Sequence, residues 1–522
     1  MKKYFLFLCF SLLGSIAFSD DVIGTIESGE VLKLGAIDGV PFALIKEERD
    51  GLLSTVSEYY VLYGEEKAGP YDEVQYNKIV ISPDSKTIAY AAKIDDEWYV
   101  IKGKEKIGSY DNVRGVRFLS DNKTLGYVAK IKSKDYVITG KEKAGPYDEV
   151  ADITFSPDGK TIAYRARIGN EVFVIKGKEK IGPYDCHYHE DVPYLGGYSD
   201  LSFSSDGKTL AYTAEIGKQY YVIADKEKVG PYTFAAHVAN GNSLFLPDGK
   251  TIAYEAVIAG KDYVIVGKEK AGPYDGVYSF NCSPDGKTLG YRAHIGAERY
   301  IIAGKKKSGP YDDVGWPIFS PDGKILAHEA LTGDEWYIIA GKEKAGPYNR
   351  VDMFESYSFS SDGKTLAYAA QIEDEWYVIV GNKKLGPYDN VQHYDFTFSP
   401  DGKTVAFSAK IGDEWYAIAG KEKAGPYDIP EFGFNYIFSP DGKVLAYYAH
   451  TEDETHLIVG EEKLGPYSGI SSCIFSSDGK TLEFEIMKDG YCNRVYLDGI
   501  VYAGSICGDK IIYLKDNKIM MR

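Results

Sequence analysis

Between residues 151 and 186 the chain reads ADITFSPDGKTIAYRARIGNEVFVIKGKEKIGPYDC, with its apolar positions in four short runs separated by turn-forming residues. The runs ADITFS, TIAYRA, EVFVIKG and KIGPYD have the length and the β-branched or aromatic content of strands. Between the first two, SPDG puts Pro157 where a φ of about −65° is wanted and Gly159 where a positive φ is wanted. GKEK forms the hairpin between the third and fourth. In TIAYRA the large Ile162 and Tyr164 alternate with the small Ala163, which predicts sheets that interdigitate with their neighbours.

This unit recurs along the chain. Ten times the Asp of an SPDG-type turn is followed 26 residues later by the Tyr of a GPY or GSY motif, from Asp84 and Tyr110 to Asp441 and Tyr467. From each such Tyr to the next turn Asp the distance runs from 11 to 22 residues, so all the length variation falls in one connection per repeat. A fixed half and a free half separate scaffold from working surface. Eleven GPY or GSY motifs, and a first copy in which Tyr59, Tyr60 and Tyr71 match the second half, give about twelve four-stranded units.

The [FILV]-S-P-D-G-K-T-[IL]-A-[YF] segments resemble the WD40-like β-propeller repeat of TolB-type periplasmic proteins and of the non-catalytic propellers of prolyl oligopeptidase relatives, over residues 29 to 522. The EWYVI…GPYDEV half is also similar to WG-type repeats. The resemblance implies an all-β propeller. The separate N-terminal α/β domain of the TolB pattern is not apparent, so a Tol-system role is not carried over. Twelve blades exceed the four to eight of ordinary propellers, which predicts two tandem rings, 20–274 and 275–522, with one large ring as the alternative. The longest connections, 185–203 and 233–245, offer earlier joins. EVLKLG near the N-terminus and the C-terminal DKIIYLKDNKIMM are expected to share a closing blade.

Residues 1–19, with Lys2 and Lys3, an apolar stretch from Tyr4 to about Ala17 and small residues at Ser15, Ala17 and Ser19, read as a secretion signal. Cys9 has no lipobox around it, and no later apolar run is long enough for a membrane span. A periplasmic or extracellular chain is therefore expected. The net charge of −17 becomes −19 without Lys2 and Lys3, a balance that disfavours nucleic acid and anionic membranes as partners. Cys186, Cys282, Cys473, Cys492 and Cys507 do not follow the repeat, so the fold does not depend on disulfides; a Cys492–Cys507 pair stays open.

Candidate chemistry is thin. GKT recurs, but a phosphate loop needs a Gly five residues earlier, where Thr154 and Ser202 stand. The SPDG turns differ from sialidase Asp-boxes, since Gly follows Asp directly and no Trp closes the motif. No G-x-S-x-G occurs, and HEALT at His328 is not H-E-x-x-H. Cys186, His187, His189, Glu190 and Asp191 cluster in the longest connection and include soft and imidazole donors for zinc or copper, but their spacing fits no structural zinc pattern, so a polar surface loop is the preferred reading and a metal site the alternative. No catalytic, cofactor or metal residue is assigned.

Two positions per repeat stand out. Fifteen residues after each turn Asp the side chain is nearly always aromatic, as at Tyr99, Phe173, Tyr337 and Tyr377, which predicts a packed site. One residue earlier stand Trp98, Asp135, Val172, Tyr220, Asp262, Arg299, Trp336, Trp376, Trp415 and Thr455, a tolerance that predicts exposure. Trp98, Trp336, Trp376 and Trp415 are accordingly the expected partner-binding residues. Alternating strand direction predicts a Lys-rich edge at the first-to-second and third-to-fourth turns, and an acidic edge at the others, with Asp95, Asp334, Asp374 and Asp413. The function expected is a non-enzymatic scaffold for a protein or cell-envelope partner. A carbohydrate or peptide receptor using a central channel, and a glycosidase- or lyase-type propeller enzyme, are the alternatives.

Overall fold

The computed structural model describes residues 4–8, 21–26, 30–37, 40–50, 55–63 and 66–476, apart from breaks at 76–78, 85, 186, 190–191, 195–200, 239–243, 352–356, 393–395, 429–433, 452–453 and 468; it then describes 479, 481–488, 491–498, 512–515 and 518–521. Among the described residues every regular element is a strand, and no helix is long and apolar enough to cross a membrane. The chain is a β-propeller repeat protein built mainly from consecutive four-stranded antiparallel sheets, most of them meanders of neighbouring strands. The reference unit has strands Glu149–Phe155, Ile162–Ile168, Glu171–Lys176 and Glu179–Asp185, within a residue or two of the runs read from sequence. In several later repeats the first strand is split in two, as at Asp313–Val314 and Ile318–Phe319. Ile470–Phe475, Thr481–Lys488 and Tyr491–Asp498 form a three-stranded sheet.

The chain divides into two compact units, one of residues 1–133, 137–144 and 426–522, the other of 134–136 and 145–425. In the first, Tyr4–Leu8 lies between Asp21–Ile26 and Lys518–Met521, with Ile512–Lys515 outermost. The sharing of a blade between EVLKLG and the C-terminal pair is therefore corrected: Glu30–Ile37 pairs with Val40–Asp50 as the first strand of its own four-stranded sheet. It is the edge strand of that sheet, and the C-terminal pair joins Tyr4–Leu8 instead.

Local chemistry explains why each hairpin forms. Ser156 Oγ donates to Asp158 Oδ1 at 2.6 Å, the Lys160 amide donates to the same oxygen at 3.1 Å, and the Thr161 amide donates to Ser156 Oγ at 2.9 Å. Gly159, at φ 65°, closes the turn by donating to the Ser156 carbonyl at 2.7 Å. Where Leu119 replaces the Ser, Asp121 instead accepts from the Thr124 and Lys123 amides and from Thr124 Oγ1, which hold its carboxyl down at about 2. The Lys and Thr of each GKT thus serve their own turn, as the hairpin reading expects.

Second and third strands carry the core. Ile162 to Ala166 are buried without a break, and so are Val172 to Ile175, because these strands face a neighbouring repeat on both sides. The fourth strand, by contrast, is largely exposed. Repeats are joined by the GPY tyrosine. Tyr147 meets Tyr164 of the next second strand with ring centroids 5.9 Å apart and hydroxyls at 3.2 Å, and the contact recurs from Tyr71 with Tyr90 to Tyr427 with Tyr447. This ring contact ties each such repeat to its neighbour.

Candidate functional site

Two edges of each repeat differ in chemistry. Gly177, in the third-to-fourth turn, donates to the Ile162 carbonyl at 2.8 Å beside the first-to-second turn, so both lysine-bearing turns share one edge. At the other edge the Asp that follows GPY reaches forward: Asp148 Oδ2 accepts the Gly169 amide at 2.6 Å, and Asp275 and Asp312 do the same for Gly296 and Gly333 at 2.6 and 2.7 Å. Each fourth-to-first connection is thus tied to the acidic second-to-third turn beside it, where Asp95, Asp334, Asp374 and Asp413 are exposed. The predicted division of turn charges holds in the repeats of Asp95, Asp334, Asp374 and Asp413, but is corrected elsewhere: Lys134, Lys218 and Lys261 stand at other second-to-third turns, and Lys134 and Lys261 pair there with Asp148 and Asp275.

The tryptophans sit elsewhere than expected. Trp98 and Trp376 are buried, at 7% and 6% exposure, and Trp336 and Trp415 are half-buried. The expected exposure of this position is corrected. Trp376 shares a core with Val391 of the next repeat, and Trp336 packs against the core that holds Val351. The same position carries Asp135, whose Oδ2 accepts the Val150 amide of the following first strand at 2.9 Å, and Tyr220, whose ring lies 5.9 Å from Phe234. Tolerance of Trp, Asp and Tyr therefore reflects several ways of docking the next first strand rather than contact with water.

At the next position the aromatic ring lies along the fourth strand. Tyr337 has the Lys344 ammonium 3.5 Å from its ring centroid and donates its hydroxyl to Glu335 at 2.6 Å. A Cβ on Gly346 of the GPY motif would come within 2.8 Å of the Tyr337 ring, and Gly346 sits at φ 127°, so this glycine is required. The Lys and aromatic pair recurs at Tyr99, Phe173, Tyr221, Tyr263, Tyr300, Tyr377 and Tyr416. These rings are the packed site that sequence predicts, though a lysine forms part of their cover.

A further set of side chains was missed by the sequence reading. The variable slot in the second-strand A-Y-x-A pattern, filled by Ala91, Val128, Ala369 or Ser408 elsewhere, holds Arg165, Glu255, Arg292 and Glu329 in four repeats of the second unit. Arg165 Nη1 pairs with Asp152 Oδ2 at 3.2 Å, and Arg292 Nη2 with Asp313 Oδ1 at 3.0 Å. Burial, with the nearby Asp262 charge adding to it, pushes the Glu255 carboxyl up to about 7. Burial drives the His328 imidazole down to about 4. The signal available in the sequence was the appearance of charge in a slot that four other repeats fill with small or apolar residues.

Among the described residues no group of three or more His, Cys, Asp or Glu side chains is arranged to hold a metal ion. Cys186, Glu190, Asp191 and Cys507, and the side chains of His187, His189 and Cys492, lie outside the described residues. Cys282 is a free thiol.

No family model matches the chain, and no curated protein matches it. Among solved structures it is similar to TolB from Acinetobacter baumannii, at 14% identity and TM-score 0.23, over 51% of this chain and 75% of that one. It is similar also to the propeller domain of the Trilobed protease from Pyrococcus furiosus, at 13% and 0.24 over 62% and 96%. An oligogalacturonate lyase in complex with manganese matches at 11% and 0.22 over 66% and 95%. Likeness at these scores bears on neither activity nor partner.

Proposed function

We propose that the chain is an exported, non-enzymatic propeller scaffold that binds a protein or cell-envelope partner at the edge formed by its fourth-to-first connections. One observation carries the reading: the contact between consecutive repeats stays constant while the connection beside it changes length. Tyr110 and Tyr127 meet at 2.9 Å and Tyr184 and Tyr212 at 2.8 Å, although the intervening connections differ twofold in length. A frame indifferent to its connections leaves them free to vary for recognition. Residues 1–19 would act as the export signal, whose cleavage would take Tyr4–Leu8 out of the sheet it shares with Asp21–Ile26 and Lys518–Met521, and a division of the repeats into two rings near residue 274 belongs to the same proposal.

The test is capture from envelope extract by the intact chain, by a variant in which the 185–203 connection is replaced with the short one at 148–155, and by a variant with Lys→Ala changes at the opposite turns. A partner retained by the lysine variant and lost from the connection variant supports the reading. Equal capture by all three sinks it. N-terminal sequencing of the exported chain should begin at Phe18 or Asp20; an intact Met1 would remove the export claim.

A further inference from the structure

Six large apolar side chains are exposed among the described residues, and two of them stand on the first strands of consecutive repeats: Tyr278, at 51%, within Gly276–Cys282, and Trp316, at 40%, between Asp313–Val314 and Ile318–Phe319. The repeat does not ask for either ring. Arg114 or Ala151 stands in the place of Tyr278, and Gly115 or Asp152 in that of Trp316.

Polar groups connect the two. Tyr278 is paired across the strands with Arg292, and its ring lies 5.1 Å from that of His294. Arg292 Nη2 donates to Asp313 Oδ1 at 3.0 Å, three residues before Trp316, and the Val314 amide donates to the same oxygen at 2.9 Å. Beside Trp316, Gly315 leaves room for the Glu329 carboxylate, which a Cβ there would overlap at 1.6 Å. Arg292 Nε and His294 Nε2 are buried atoms that make no hydrogen bond within the protein.

We propose that Tyr278, Arg292, His294, Asp313 and Trp316 form a binding site for a neutral oligosaccharide. A pyranose ring offers an apolar C–H face and a rim of hydroxyls, and the patch offers two exposed aromatic side chains linked through the Arg292–Asp313 pair. The Arg292 charge is already matched by Asp313, so the guanidinium does not select an anion. Burial, helped by the Arg299 and Arg292 charges, pulls the His294 imidazole down, so at neutral pH it meets the ligand uncharged. Tyr278, Asp313 and Trp316 lie in the short connections that follow Tyr274 and Tyr311, so the replacement of 185–203 that tests the scaffold reading leaves this site untouched and the two can fail separately.

The experiment is calorimetric titration of the intact chain with maltotetraose, cellotetraose and chitotetraose, and with tetragalacturonate as the anionic arm. Saturable binding of at least one neutral tetrasaccharide is expected, weakened about tenfold or more by Trp316→Ala and by Tyr278→Ala and unchanged by Tyr337→Ala on the outer strand pair. Melting curves for each variant confirm folding. Should either alanine variant unfold, Trp316→Leu and Tyr278→Leu remove the same faces with less loss of volume. Absence of binding by all three neutral sugars, preference for tetragalacturonate, or binding that survives both substitutions would overturn the proposal.

Discussion

The Tyr184 and Tyr212 hydroxyls lie 2.8 Å apart although 28 residues separate them, whereas Tyr110 and Tyr127, 17 residues apart, meet at 2.9 Å. An insertion that leaves a hydrogen bond and a ring contact unchanged has not disturbed the contact between the two repeats. Halving the 185–203 connection should therefore cost or gain only about 0.6 kcal/mol of loop-closure entropy, and the melting temperature should move by a degree or two. A larger loss, measured by calorimetry, would mean that the connection packs against the frame.

Tryptophan substitutions should reverse the order that sequence suggests. Trp376→Ala opens a cavity in the core shared with Val391 and should destabilise by about 3–5 kcal/mol; Trp415→Ala, half-buried, should cost less. Denaturant titration decides it. A Trp376 variant of unchanged stability would return the residue to the surface.

Burial raises the phenols of Tyr90, Tyr127 and Tyr212 above the usual range. A group whose folded pKa lies above its unfolded value stabilises fully below the unfolded value, about 10, and loses that contribution as pH rises beyond it. Tyrosinate absorbance should thus appear together with loss of strand signal above about pH 10, not before it. Tyr90→Phe strips a partner from Tyr71 and should cost about 1–2 kcal/mol at neutral pH.

Glu255 has the same sign at lower pH. Its carboxyl, pushed up to about 7 by burial and then by Asp262, is neutral and comfortable in acid, and the folded state must ionise it as pH rises through 7. Glu255→Gln should leave stability near pH 4 unchanged and raise it at pH 8, by about 1 kcal/mol after allowing for the partial exposure of the group. Melting curves at the two pH values check it; a gain at both would point to packing instead.

Much of the architecture was legible because each repeat is specified locally. Asp158 finds Ser156 and Lys160 within two residues, and the pattern announces its own period. What was not legible acts between repeats. Asp135 looked like a surface residue in sequence, yet its partner is the Val150 amide fifteen residues on, and that contact makes an apolar Trp and an acidic Asp interchangeable at one place. Arg292 and Asp313, 21 residues apart, could be joined only by the fold. A similar substitution is invisible in sequence at Tyr311: its ring faces His328 at 5.7 Å instead of a tyrosine, and its hydroxyl bonds with Ser308, which stands only in this repeat's K-K-S-G-P-Y.

The fourth strands carry a last implication. They end their sheets with a row of backbone groups open to water, the arrangement that invites another chain to add a strand. Each GPY proline removes one donor from that row, the glycine before it is accompanied by a shift of register between Val172 and Val174 in the reference unit, and charged KEK side chains crowd the start. A protein made of a dozen nearly identical sheets is at risk of zipping onto its own copies, and this motif makes every outward rim a poor template. The commonest signature in the sequence therefore doubles as protection against self-aggregation at high concentration.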